Sequence, residues 1–258
     1  PREPWRRSVA GHSKWANIKH RKAAQDKKRG KIWTKCSKAI IVAAKNGGPD
    51  PSTNLSLRYA IDEAKYANMP KDTIQRAVEK GAGAAGGDSF ENITYEGYGP
   101  AGVAVIIDTL TDNNTRTVND IRNVFKKAGG SLGNAGSVAY MFDSRGRFFV
   151  PAGSIGEDAL MEVAIEAGAE DVEPGDADED GSQHTVLCQV TDFAQVKTAL
   201  EGAGVEISEA ELTKLPQNIV NPEGDDAKKI FAMIEALEDN DDVQKVYTNA
   251  ELPEDVYA

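Results

Sequence analysis

Apolar residues recur along this chain at two periods, and the change of period marks its regions. Ile32, Cys36, Ile40 and Ala43 stand 4, 4 and 3 residues apart, one face of a helix that begins near Lys22. Lys27, Lys31, Lys35 and Lys38 repeat that spacing on a neighbouring face, which predicts a helix packing one side and turning a cationic side outward. Asn46-Gly47-Gly48-Pro49 stops it: glycine takes a left-handed cap and proline cannot continue a helix. Asn54 caps a second helix with Leu57, Ala60, Ile61 and Ala64 inward, closed by Met69-Pro70. A third runs from Lys71 with Ile74, Ala77 and Val78 inward and Gly81 as its cap.

Beyond a glycine-rich linker at 81–87 the period shortens. Glu91–Glu96 and Val103–Asp108 read as strands, the second a solid apolar run suited to burial. Asn113-Asn114-Thr115 caps a helix whose buried stripe is Val118, Ile121, Phe125 and Ala128. Arg116, Arg122 and Lys126 sit off that stripe, as solvated charges or as an extended basic surface. Two strands, 137–143 and 147–151, are expected around a Ser144-Arg145-Gly146 turn, then a helix opened by a Ser154/Glu157 capping box with Leu160, Met161 and Ala164 inward. An acidic loop follows, then a strand at 184–190 and a helix burying Phe193, Val196 and Leu200. A strand near 210–215, a helix at 225–238 and a strand at 242–248 complete the chain. The irregular alternation argues against a doubly wound sheet and for α+β layers, helices packed on one face of mainly antiparallel sheets. The first ββα unit and the last strand–helix–strand are able to complete one another around an insertion near 134–211.

Charge alters this picture at one end. Residues 1–80 hold 19 basic and 7 acidic side chains, the remainder 11 and 34, within a chain of net charge −11. Residues 11–38 alone carry ten Lys or Arg against Asp26, interleaved with Trp15, Trp33, His12 and His20. A cationic cluster repels itself, whereas a polyanion gains by exchanging its condensed counterions for it. A basic head on an acidic body predicts a directional encounter with a polyanion.

Other chemistry finds little support. Gly81, Gly83 and Gly86 spell GxGxxG, but a helix precedes them and a strand follows, the reverse of a dinucleotide site; Gly97, Gly99 and Gly102 read as a hairpin loop. Asp176, Asp178, Asp180 and Gly181 match half of a calcium loop whose twelfth position is Leu187 instead of Glu. His184 reads as structural, and no zinc, nucleophile-elbow or phosphate-loop signature occurs. No enzyme, cofactor or metal is expected, and no small-molecule substrate. Cys36 and Cys188 lie far apart, which points to a reducing compartment, and no apolar run approaches a membrane span. A cytoplasmic monomer without membrane contact is the expectation.

A series of segments resembles the YebC/PmpR family: AGHSKWANIKHRKAAQDKKRGKI, NGGPDP, NMPKDTI, YEGYGPAG, LTDNNTRTV, GGSLGNAGSVAYMF, EAGAEDVE and DDVQKVYTNAEL. The resemblance runs from Ala10 nearly to the C-terminus and departs at the start, where the family usually has Met before Ala10 and Val9 stands here. It implies three domains, an N-terminal helical one and two α+β ones, the third inserted into the second. On this sequence these become 10–84, 88–133 with 212–258, and 134–211, behind an N-terminal extension of 1–9. Members are described as cytoplasmic transcriptional regulators binding promoter DNA. Others, including the mitochondrial activator of translation of a cytochrome oxidase subunit, resemble ribosome-associated factors, and some bacterial members relieve stalling on proline-rich stretches.

Two functions therefore compete for one basic arm: a DNA-binding transcriptional regulator, or a translation factor on ribosomal RNA. In both, the candidate contacts are Lys14, Trp15, Lys19, His20, Arg21, Lys22, Lys27, Lys28, Arg29, Lys31 and Lys35. No helix-turn-helix with a polar recognition helix stands out, so base readout lacks an evident reader. A third reading, an adaptor whose acidic domains bind a basic partner, predicts that deleting 11–31 leaves binding intact.

Overall fold

The computed structural model of the chain describes residues 25–83, 90–176 and 181–257, with all their side chains except those of 25–29, Asp255 and Tyr257. The candidate contacts Lys14, Trp15, Lys19, His20, Arg21 and Lys22 lie outside the described residues, as do most of the linker and calcium-loop positions 178 and 180. The α+β class expected from the sequence is the one observed. The described chain divides into two compact units, 25–142 with 216–257, and 143–215.

The first unit opens with α1 (Gln25–Gly47), α2 (Leu55–Tyr66) and α3 (Lys71–Ala82). Cys36, Ile40 and Ala44 of α1 are buried with Leu57, Ala60 and Ala64 of α2 and with Ile74, Ala77 and Val78 of α3. Each such aliphatic side chain contributes about 1–3 kcal/mol on leaving water. The stripe is displaced from the expected one: Ile32 is exposed, and half-buried Trp33 takes its place, donating Nε1–H to Ala67 O at 3.0 Å. Asn54 caps α2 as expected, accepting from Leu57 N at 3.1 Å, and its amide also donates to Ala43 O and Gly48 O, both at 2.8 Å. Gly81 is no cap. It lies inside α3, where a Cβ would stand 2.5 Å from Ile41 O and 2.8 Å from Ala44 Cβ, so α1 and α3 cross this closely only over a glycine.

The rest of this unit is a sheet of order β3-β1-β2-β8 carrying α4 (Asn114–Ala128) and α7 (Gly224–Glu238). β1 (Glu91–Tyr98) and β2 (Ala104–Thr111) form an antiparallel hairpin, so the second GxGxxG is the connecting turn. β3 is the short pair Ser131–Leu132, and β8 (Val243–Thr248) returns from the far end of the chain to lie antiparallel to β2. Asn113 caps α4 by accepting from Arg116 N at 3.0 Å. α4 buries Thr117, Ile121, Phe125 and Ala128, with Val118 only half-buried, and α7 buries Ile230, Met233, Ile234 and Leu237.

The second unit is a sheet of order β5-β6-β4-β7 with α5 (Glu157–Glu166) and α6 (Phe193–Gly202). β4 (Phe142–Pro151) is one continuous strand where a two-strand hairpin was expected. Its Gly146 is no turn residue: a Cβ there would meet Cys188 Sγ and the Phe193 ring, each at 2.6 Å, and Phe193 stacks on Phe148 at 4.7 Å. β5 (Ala169–Glu173) occupies the start of the expected acidic loop as an edge strand on β6 (Gln183–Cys188), and β7 is Glu209–Pro216. Charged alternate residues suit an edge, which must discourage pairing with other chains. The capping box is absent. Gly156 precedes α5, Ser154 Oγ donates to Pro151 O at 2.7 Å, and Met161 is 38% exposed.

Candidate nucleic-acid interface

The lysine face of α1 meets the C-terminal end of α7. Lys31 Nζ binds the carboxylate of Asp239 and its carbonyl at 3.1 Å; Lys35 Nζ donates to Glu238 O at 2.6 Å. Lys38 Nζ donates to Asp241 O at 3.0 Å and to Asp242 Oδ1 at 2.9 Å. Unpaired carbonyls and the negative end of the helix dipole attract cations to a helix C-terminus, and three lysines at helical spacing meet that demand. The face expected to point outward therefore docks the helical head on the sheet. Lys245–Glu63, at 3.2 Å, adds a second tie between them.

Asp242 is the hub of this junction. Its side chain is 5% exposed and accepts from Arg116 Nη2 at 2.6 Å, Arg116 Nε at 3.2 Å, Thr117 Oγ1 at 2.8 Å and Lys38 Nζ at 2.9 Å. Burial opposes its ionisation, but the hydrogen bonds from Arg116, Lys38 and Thr117 prevail and hold the carboxyl at about 2. The same contacts, with Asp112, push the Arg116 guanidinium above its ordinary value. A surface depression of about 460 Å³ opens beside them, and Asp112, Asp120, Asp239, Asp241 and Asp242 line it. Lys38 and Arg116 also line it and are paired with Asp242, so the carboxylates outnumber the cations and the hollow is negative on balance.

Of the candidate contacts, Lys27, Lys28 and Arg29 are in α1 with side chains outside the described set, while Lys31 and Lys35 serve the α7 junction. Reasoning from sequence missed this use because the acceptors lie about 200 positions away and several are backbone carbonyls. It also missed Glu96. That buried carboxylate accepts N–H bonds from Gly136 (2.7 Å), Val138 (2.7 Å) and Ala139 (2.8 Å), pinning the loop between β3 and β4. Burial works against its charge, yet the three N–H donors hold it below the ordinary carboxylate value.

Neither cysteine is set up to react. Cys36 is pushed up to about 12 and Cys188 to about 11, in both cases chiefly by burial. Glu173 is pushed up to about 7 by burial and then by Asp171. Both nitrogens of His184 are bonded, Nδ1 accepting from Gly175 N at 3.0 Å and Nε2 facing Ile155 O at 3.1 Å, which fits its reading as structural. Among the described residues no three metal-binding side chains converge, and no helix is long and apolar enough to cross a membrane.

Comparison with known proteins covers nearly the whole sequence. Residues 13–84 match the TACO1/YebC protein N-terminal domain, and residues 90–250 match the TACO1/YebC second and third domain. A probable transcriptional regulatory protein of Burkholderia multivorans is 56% identical over 247 residues, which is 96% of this chain and 100% of that protein. A probable transcriptional regulatory protein of Burkholderia ambifaria matches at the same identity and coverage. Among solved structures, a conserved hypothetical protein from Aquifex aeolicus superposes with a TM-score of 0.79 at 45% identity, covering 89% of this chain and 93% of that one.

Proposed function

The chain belongs to the TACO1/YebC family, and from that premise we propose that it is a non-enzymatic regulator of gene expression that grips nucleic acid through its basic head. The observation that carries this reading is the reversal of charge: ten cations within 11–38, on a chain of net charge −11. The basic stretch divides its labour in this reading. Lys31, Lys35 and Lys38 hold the head on the sheet, and phosphate contact in this reading falls to Lys14, Lys19, Arg21, Lys22, Lys27, Lys28 and Arg29, whose side chains lie outside the described residues. With this goes the division into 10–84, 88–133 with 212–258, and 134–211, the acidic parts keeping the rest of the molecule off the polyanion.

Between DNA and ribosomal RNA, one feature favours RNA. The exposed side of α3 carries Asp72, Gln75, Arg76, Glu79 and Lys80, with Gln75 bonded to Glu79 at 3.0 Å. In a major groove a carboxylate accepts only from cytosine N4 and repels the flanking phosphates, so a face with two of them reads few sequences, whereas recognition by backbone and shape needs no such reader. Relief of stalling on the ribosome is then the role to test first, with promoter binding as the rival. Crosslinking in cells followed by sequencing of the bound nucleic acid separates them. Enrichment of ribosomal RNA is the expected result; promoter DNA alone overturns the preference, and recovery of neither overturns the nucleic-acid reading.

A further inference from the structure

We propose that the helix-free face of the second unit's sheet is the seat of the chain's own segment 10–24 when no nucleic acid is bound, with Asp171 and Glu173 receiving its cations and Phe149 and Leu187 its apolar side chains. The release of that segment to nucleic acid rests on the reading above; its seat on the sheet does not.

Strand register separates the two faces of this sheet. Asp171 and Arg147 both pair with Leu187, and Glu173 and Phe149 both pair with Thr185. Paired residues of antiparallel strands share a face, so these six stand together. The alternate residues point the other way, and both helices pack there. Phe193 of α6 stacks on Phe148, and His184 meets Ile155 O just ahead of α5. α5 lies beside α6, with Gln195 Nε2 donating to Ala167 O at 3.0 Å. Neither helix of the unit therefore stands on the face of the six. Yet Phe149 and Thr185 are each 1% exposed, and Leu187 and Arg147 are buried. A bare sheet face stays in contact with water, so a phenylalanine this deeply buried on such a face calls for a cover.

Charge names the cover. Asp171 and Glu173 make no ion pair among the described residues, and Arg147, the cation on this face, is engaged by Glu211. Burial and then Asp171 push Glu173 up to about 7, as expected of a carboxyl that is covered but not neutralised. Such a face suits cations carried on apolar stems. Segment 10–24 has Lys14, Lys19, Arg21 and Lys22, with Trp15 and Ile18 between them and no acid. It lies outside the described residues, as do 84–89 and 177–180, which contain no Lys or Arg. Its length also suffices. Four strands are about 15–20 Å across, against about 22 Å for a helix of this length and about 50 Å for an extended chain.

The test treats the full chain with a carbodiimide, which joins a lysine amine to a carboxylate in contact with it, and maps the links by peptide mass spectrometry. Links from Lys14, Lys19 or Lys22 to Asp171 or Glu173 are expected, and Lys245–Glu63, 3.2 Å apart, is the internal control. Absence of these links while the control forms overturns the seat. In a mixture of isotope-labelled and unlabelled chain, links that join the two kinds place a second copy on the face and overturn it equally. The second measurement uses Asp171→Asn/Glu173→Gln, which relieves a repulsion and should leave the fold intact. With its competitor weakened, the segment of this variant should bind a labelled single-stranded RNA of about 20 nucleotides about 2- to 10-fold more tightly than wild type. Equal affinity overturns the competition between sheet and RNA. A chain that forms the links but binds no RNA overturns the basic-head reading and leaves the seat standing.

Discussion

Replacing Asp242 by Asn removes one charge from the junction between head and sheet without changing its shape. The carboxyl is held at about 2 against an ordinary 3.8, so its ionised form is favoured in the fold by about 2–3 kcal/mol. Asn cannot satisfy Arg116 and Lys38 together and leaves both cations short of a counter-charge. A broken buried pair costs about 3–5 kcal/mol, but the Arg116 side chain is 47% exposed and water relieves part of that. The expected loss is therefore about 2–3 kcal/mol in urea unfolding at neutral pH, followed by circular dichroism. The pH dependence has a definite sign. Because the folded value is depressed, this contribution is complete above about pH 4 and disappears as pH falls towards about 2. Wild type and Asp242→Asn should thus converge in stability across that window. A loss below about 0.5 kcal/mol at pH 7, or a difference that persists unchanged at pH 2, would refute the assignment of Asp242 as the hub.

Three further outcomes follow from single contacts. Gly81→Ala should destabilise the helical head by about 1–3 kcal/mol, read as a lower thermal midpoint, because its Cβ would strike the Ile41 carbonyl. His184→Ala leaves Gly175 N and Ile155 O without partners and opens a cavity; a loss of about 2–4 kcal/mol is expected, and faster amide exchange at Gly175 would locate it. Glu96→Gln should speed exchange at Val138 and Ala139 while far-UV circular dichroism stays unchanged, and unaltered exchange would show that the carboxylate does not order the loop.

The elements were legible wherever local pattern decides structure. Helical spacing located all seven described helices, and Asn54 and Asn113 marked two of their starts. Failures came where a distant residue set the outcome. Gly146 looked like a turn because its neighbours are polar; it is in fact a strand residue kept small by the Phe193 ring. Glu173 and Asp171 looked like loop because an edge strand tolerates charge. The spacing starts the α1 stripe at Ile32, yet the helices packed against α1 half-cover Trp33 instead. The lysine face was legible as cationic, but its partners at 238–242 are brought to it only by the fold. Glu96 carried no local signal at all, since it is defined by the N–H groups it collects from the loop at 136–139.

The central claim is that cations of the head exchange with counterions on a sugar–phosphate chain. Its most direct test is the affinity of the full chain for nucleic acid as a function of salt. Neutralising four to six phosphates predicts that log affinity falls against log salt with a slope of about −3 to −5. Affinity indifferent to salt, or no binding even at low ionic strength, would contradict the account.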